Sequence, residues 1–179
     1  MGGSYSTDVG YKILMIGPAG SGKNFLLQAL TVGADNAVNE THTPGFETAN
    51  LNSRRTKILY IIYNLSGEPA YRKLYKYFYP GTEGIIFMVN CADPNNIREA
   101  SVDLDMILDA RELRGLPILV IANKVDHHGA MDMEQLKTHL RLEAKLARRF
   151  WWICQLRNRY QFDVDIIMDT LDNFVQPRH

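Results

Sequence analysis

Seven residues constrain this chain more than any others: Gly17-Pro18-Ala19-Gly20-Ser21-Gly22-Lys23. They follow the apolar run 11–16 and precede Phe25, Leu26, Leu27, Ala29 and Leu30, which are spaced as the buried side of a helix. A glycine-rich turn between strand and helix, closed by lysine at G-x-x-x-x-G-K spacing, curls the backbone so that successive N–H groups face one anion. The helix N-terminus adds partial positive charge, and Lys23 adds a formal cation suited to the β- and γ-phosphates of a nucleotide. A glycine turn with a stray lysine is the bland alternative, and the flanking elements and spacing weigh against it. The next residue is Asn24. That position takes Ser or Thr when a hydroxyl is to ligate Mg²⁺, and asparagine is bulkier, with its amide oxygen one bond further out.

The rest of the chain alternates apolar runs with helical patterns. Strands are predicted at 11–16, 57–63, 84–90, 117–122 and 150–155, several nearly continuously apolar, as strands covered on both faces require. Helices are predicted at 23–30, 99–114, 132–140 and 165–175. The second buries Ala100, Leu104, Ile107 and Leu108, the third opens with Asp132 and Gln135 as a capping box, and the fourth offers Ile167, Leu171 and Phe174. This order predicts an α/β fold, a doubly wound, mostly parallel sheet with helices on both faces. Residues 31–55 read as the main irregular segment. A chain of 179 residues suits one domain, taken as 11–179 after a short extension over 1–10.

Lys plus Arg and Asp plus Glu number 20 each, so the balance carries no electrostatic footprint for nucleic acid. Cys91 and Cys154 lie in apolar segments. One disulfide stays open, but two buried thiols in a reducing compartment are the expectation. No apolar run approaches 18 residues, and a cytoplasmic location is expected.

A second motif follows the strand at 117–122: Asn123-Lys124-Val125-Asp126. An N-K-x-D turn there reads guanine. The Asp126 carboxylate accepts from N1–H and the exocyclic amine, a donor pair adenine lacks, so a desolvated aspartate discriminates between the bases. Asn123 braces the loop, and the aliphatic stem of Lys124 lies over the rings. Four residues alone are a weak signal; about a hundred residues after a phosphate loop, at a strand end, they are a strong one.

With these two motifs in place, the chain resembles the Arf and Arf-like small GTPases over nearly its whole length. Thr43-Pro44-Gly45-Phe46 is similar to the family's T-I-G-F first switch, and 115–121, Gly129-Ala130-Met131 and 148–153 are also similar. The resemblance implies the Ras/Arf-like P-loop fold, GTP or GDP as ligand, and protein effectors or neighbouring subunits bound through the stretches from Thr43 to Phe46 and from Tyr63 to Phe78. Phe46, Tyr63 and Phe78 fall where the family carries an aromatic effector triad; core packing is the equal alternative. Thr43 and Asn24 would be the remaining, weak metal contacts. Gly67 stands where a backbone N–H meets the γ-phosphate.

The departures concern hydrolysis. The family's W-D-V-G-G-Q is here Tyr63-Asn64-Leu65-Ser66-Gly67-Glu68. Asn64 replaces the aspartate supporting the Mg²⁺ shell, and Glu68 replaces the water-orienting glutamine. A glutamine can both accept and donate, whereas a carboxylate only accepts. The last base-contacting motif, by position Arg157-Asn158-Arg159, is not recognisable. Losses at Asn24, Asn64 and Glu68 converge on one ion and one water, while the binding residues remain. The expectation is a nucleotide-binding module of a larger assembly, with hydrolysis very weak and Mg²⁺ support doubtful. An active switch in membrane trafficking or ciliary and organelle transport is the alternative. A small-molecule kinase is disfavoured by Asn123–Asp126 and by the absence of an arginine-rich lid. Met1-Gly2-Gly3-Ser4-Tyr5-Ser6 matches a myristoylation pattern on Gly2, but the following polar stretch lacks the second membrane signal, so membrane association through it would be weak.

Overall fold

The computed structural model describes residues 10–38 and 45–175; Gly2, Thr43 and Pro44 lie outside the described residues, as does the extension up to residue 9. Strands β1 (Tyr11–Ile16), β4 (Gly84–Asn90) and β5 (Ile118–Asn123) are apolar because both of their faces are covered. Ile13, Met15, Ile86, Met88, Leu119 and Ile121 form one core layer with helices α1 (Lys23–Val32) and α5 (Gln161–Phe174). The alternate residues Leu14, Ile16, Ile85, Phe87, Val89 and Val120 point the other way, into a layer with α2 (Pro94–Asp109) and α3 (Met133–His139). Two-residue periodicity thus sorts one sheet into two cores.

The sheet has six strands in the order β2-β3-β1-β4-β5-β6, with β3 spanning Leu59–Leu65 and β6 Trp151–Leu156. Neighbours pair in parallel except β2 (Phe46–Asn52), which runs antiparallel to β3. The doubly wound, mostly parallel sheet is therefore as the sequence led one to expect. β2 corrects the reading of 31–55 as irregular. Its sequence FETANLN is polar and buries only Leu51. An edge strand held by ladder bonds needs no apolar run. Other bounds also shift: β3 lies two residues later than 57–63, and α2 begins at Pro94 rather than 99. Asp93 caps α2, accepting from the Asn95 amide at 2.9 Å. A 3₁₀ segment at Pro69–Tyr77 and a four-residue α4 (Leu142–Lys145) were not anticipated. The capping box at Asp132 and Gln135 is present. Both cysteines are free and buried.

The far end of the β2–β3 hairpin is fastened to α5 by one carboxylate. Asp172 accepts hydrogen bonds from Ser53 Oγ at 2.6 Å, Tyr60 Oη at 2.7 Å and Thr56 Oγ1 at 3.1 Å. Arg55 Nε lies 3.6 Å from the same group. Ser53, Tyr60 and Asp172 are all buried, so removing the acceptor strands hydroxyls away from water. Asp172→Ala is expected to lower unfolding free energy by roughly 2–4 kcal/mol. The exposed neighbour change Asp169→Ala should cost within about 0.5 kcal/mol. Urea denaturation of both variants checks the contrast.

Candidate nucleotide site

β1 delivers the chain to the loop 17–22 at the C-terminal edge of the sheet, where ligands of open α/β sheets bind. Gly22 precedes α1 with φ of 100°, and a Cβ there would lie 2.1 Å from Asn123 Nδ2. Only glycine meets both conditions. Behind the loop, three asparagine amides take its carbonyls. Asn96 Nδ2 donates to Ala19 O at 2.9 Å, Asn90 Nδ2 to Gly20 O at 3.3 Å and Asn123 Nδ2 to Ser21 O at 2.8 Å. Lys23 Nζ donates to Gly17 O at 2.7 Å and Pro18 O at 3.2 Å, with Ser21 Oγ at 3.4 Å. The structure thus brings Gly17, Pro18, Ala19, Gly20, Ser21, Gly22, Lys23 and Asn123 together. Asn90 and Asn96 were missed. The available signal was that β4 and β5 both end in asparagine and pair Asn90 with Asn123 in register.

The base-reading turn stands beside this loop. Lys124 takes φ of 60°, and its amide donates to Leu156 O at 3.0 Å. Asp126 is exposed, and its Oδ2 accepts from the Asn158 amide at 3.2 Å. The 157–159 loop, unrecognisable by side chain, therefore reaches the site through its backbone. It is held there by Arg157, which donates Nε and Nη2 to the two oxygens of Asp163, each at 2.9 Å. The Arg157 guanidinium also lies 4.1 Å from the Tyr160 ring centre.

On the other side of the loop, Asn64 at the end of β3 faces Asn24. Asn64 Nδ2 donates to Asn24 Oδ1 at 2.6 Å and to Glu47 Oε1 at 3.1 Å. Glu47 lies opposite Asn64 in the antiparallel register. A carboxylate only accepts, so Glu47 sets the amino side of Asn64 toward itself. Glu47 was not anticipated, because a cross-strand contact from β2 cannot be read before β2 is known. Gly67 lies directly against the loop, and Glu68 follows it, partly buried. Exposure bears on the aromatic alternatives. Phe46 is 51% exposed, and its ring centre is 4.7 Å from that of Phe78, which is 6.1 Å from Tyr63. Tyr63 and Phe78 are half-buried and pack against the core layer of α2 and α3, so the three rings run from core to surface, with Phe46 as the exposed end.

The family model of the ADP-ribosylation factor family matches residues 4–174. The chain belongs to that family. Its members are small GTP-binding proteins. ADP-ribosylation factors K and J of Dictyostelium discoideum are 33% and 32% identical over 142 residues, covering 79% of this chain and 73% of each relative. The small GTPase Arl6 (BBS3) of Trypanosoma brucei, solved with the nucleotide analogue GppNp, superposes with a TM-score of 0.77. It covers 92% of this Arf-family chain and 99% of its own, at 19% identity, a likeness of fold. No helix among the described residues is long and apolar enough to cross a membrane.

Lys23 is 6% exposed, and burial lowers its ammonium to about 8, against the opposing pull of Asp103. Phosphate oxygens would stabilise the ammonium, raising its pKa in the complex. Nucleotide affinity is therefore expected to be flat below pH 8 and to fall about tenfold per unit above it, until the pKa of the complex is reached. At pH 8.5, binding should take up about three-quarters of a proton. Calorimetry in buffers of different ionisation enthalpy measures this; no uptake would mean that Lys23 does not meet the phosphates.

Proposed function

We propose that this Arf-family protein holds guanine nucleotide with little dependence on Mg²⁺ and hydrolyses it very weakly, serving as an interaction module of a larger assembly. The observation that carries the reading is the Asn24–Asn64–Glu47 bridge. Where family members support Mg²⁺ with a hydroxyl and a carboxylate, this chain has two amides already joined to each other and to Glu47. The Asn64 amino group presents hydrogens, not lone pairs, to the two oxygens it meets. A cation needs lone pairs where that amino group stands, so support for Mg²⁺ here is weaker than from a hydroxyl and a carboxylate. Thr43, the other expected contact, lies outside the described residues.

Base selection rests on Asp126 and Asn123, phosphate binding on the loop amides and Lys23. Glu68 can accept from water but cannot donate to a γ-phosphate, and its charge opposes the charge already present. Partner binding is assigned to exposed Phe46 and the half-buried Tyr63 and Phe78 beside it, where aromatic rings offer buried area at low entropic cost. Myristoylation of Gly2 would add one marginal membrane contact. The switch alternative requires brisk turnover.

Two measurements test the proposal. GDP should bind far more tightly than ADP, and Asp126→Ala should cost roughly 2–5 kcal/mol for GDP and little for ADP. Chelator should leave the release rate of GDP within about twofold. Equal binding of both bases, or release many-fold faster in chelator, overturns it. In single turnover, the wild type should hydrolyse GTP at or below about 10⁻⁴ per second. The combined change Asn24→Thr, Asn64→Asp, Glu68→Gln should gain activity. Brisk wild-type turnover that Glu68→Gln slows would instead make this a working GTPase.

A further inference from the structure

The segment following β3 folds back over the phosphate loop, and one buried ion pair ties it to α2. Arg72, within the 3₁₀ segment, places Nε 2.6 Å from Asp103 Oδ1. The Asp103 side chain is 0% exposed and that of Arg72 22%. At that distance the guanidinium and the carboxylate attract both as charges and as donor and acceptor. Burial pushes the Asp103 carboxyl upward, and the guanidinium opposes that push.

Three residues on, Tyr75 is buried and its hydroxyl donates to Ser66 O. The Ser66 amide donates to Gly45 O at 2.8 Å. Gly67 is thereby pressed onto the loop. A Cβ on Gly67 would lie 2.3 Å from Ala19 N, 2.3 Å from Pro18 C and 2.4 Å from Gly17 O. No side chain fits, and a small displacement of residues 66–68 would open this contact. The sequence of ties runs from Asp103 through Arg72 and Tyr75 to Ser66 and Gly67.

We propose that the Arg72–Asp103 ion pair is a positioning clasp that confers preference for nucleoside triphosphate over diphosphate, by holding the Gly67 amide where a third phosphate would meet it. The proposal rests on the nucleotide-binding reading above. A diphosphate has no group at that place, so the clasp contributes nothing to its affinity. A triphosphate oxygen gains a charge-assisted hydrogen bond from a pre-placed donor. Neither Arg72 nor Asp103 touches the nucleotide; both act through Gly67.

The test uses the full chain at pH 6.5, where Lys23 is charged whether or not Asp103 is. Affinities for GDP and for a non-hydrolysable GTP analogue are measured by calorimetry in wild type and Asp103→Asn. Asparagine removes the charge without burying a new one, so the fold should persist. Arg72→Met combined with Asp103→Asn removes both charges and covers the case in which an unpaired Arg72 disturbs folding. The expected result is GDP affinity within twofold of wild type and GTP-analogue affinity about tenfold weaker. Equal losses for both nucleotides would make the pair merely structural, and no loss for either would make it irrelevant; each overturns the clasp. Hydrogen exchange without nucleotide gives a readout independent of binding. Asp103→Asn should speed exchange at Gly67 and Glu68 and leave β1 unchanged, and unaltered exchange there overturns the clasp. If wild type binds neither nucleotide, the binding reading fails, while the exchange result still decides whether the ion pair seats Gly67.

Discussion

The rest of this site depends on where the carbonyls of one loop go. A backbone that turns its N–H groups inward must turn its C=O groups outward, and buried carbonyls require donors. Here every carbonyl from 17 to 22 has one. Lys23 takes Gly17 and Pro18, Asn96 takes Ala19, Asn90 takes Gly20, Asn123 takes Ser21, and the Leu26 amide takes Gly22. The loop is therefore held through its carbonyls before any anion arrives. Two of these asparagines end neighbouring strands, so the sheet's register sets the loop's shape.

That arrangement explains which parts were legible in the sequence. The phosphate loop and base-reading turn were, because their chemistry is local: glycines set the backbone, and strand, turn and helix follow without interruption. β1, β4 and β5 were, because burial on both faces demands apolar runs. β2 was not. Its stability comes from ladder bonds to β3, and FETANLN satisfies an exposed edge without any apolar pattern. Glu47 went unnoticed for the same reason, since its meeting with Asn64 exists only once the antiparallel register does. The 157–159 loop was misjudged in a different way. Its contribution to Asp126 is a main-chain amide, which no side-chain motif announces.

The three asparagines that differ most in meaning look alike in sequence. Asn90 and Asn123 donate to loop carbonyls and accept from the amides of Ala92 and Lys124. Asn64, one residue before the end of β3, faces Asn24 and a carboxylate instead of a carbonyl. An amide in that place satisfies two oxygens as a neutral donor, whereas an aspartate would bring like charge toward Glu47. Asn64 and Glu47 are thus mutually consistent across the strand pair, and so are Asn64 and Asn24 across the sheet edge. The three positions therefore suit one another as a set.

The ties also differ in strength along the chain, and that difference locates where the molecule can respond to a ligand. The β2–β3 hairpin is held at both ends. Asp172 gathers three hydroxyls at its turn, and the Asn24–Asn64–Glu47 bridge fixes its other end. Sliding β3 along β1 would break both sets at once, in addition to the ladder on either side. The segment between β3 and β4 has no ladder of its own and is held by separate ties: the Tyr75 hydroxyl on Ser66 O, the Arg72–Asp103 ion pair, and Lys12, which meets Pro80 O and Glu83. Separate ties break one at a time, whereas a strand ladder breaks together, so this segment can shift at lower cost than the hairpin can. It also carries half-buried Phe78, the ring that joins exposed Phe46 to Tyr63. A ligand that moves Gly67 would thus act on these rings through the segment between β3 and β4, while the hairpin beneath it stays in register.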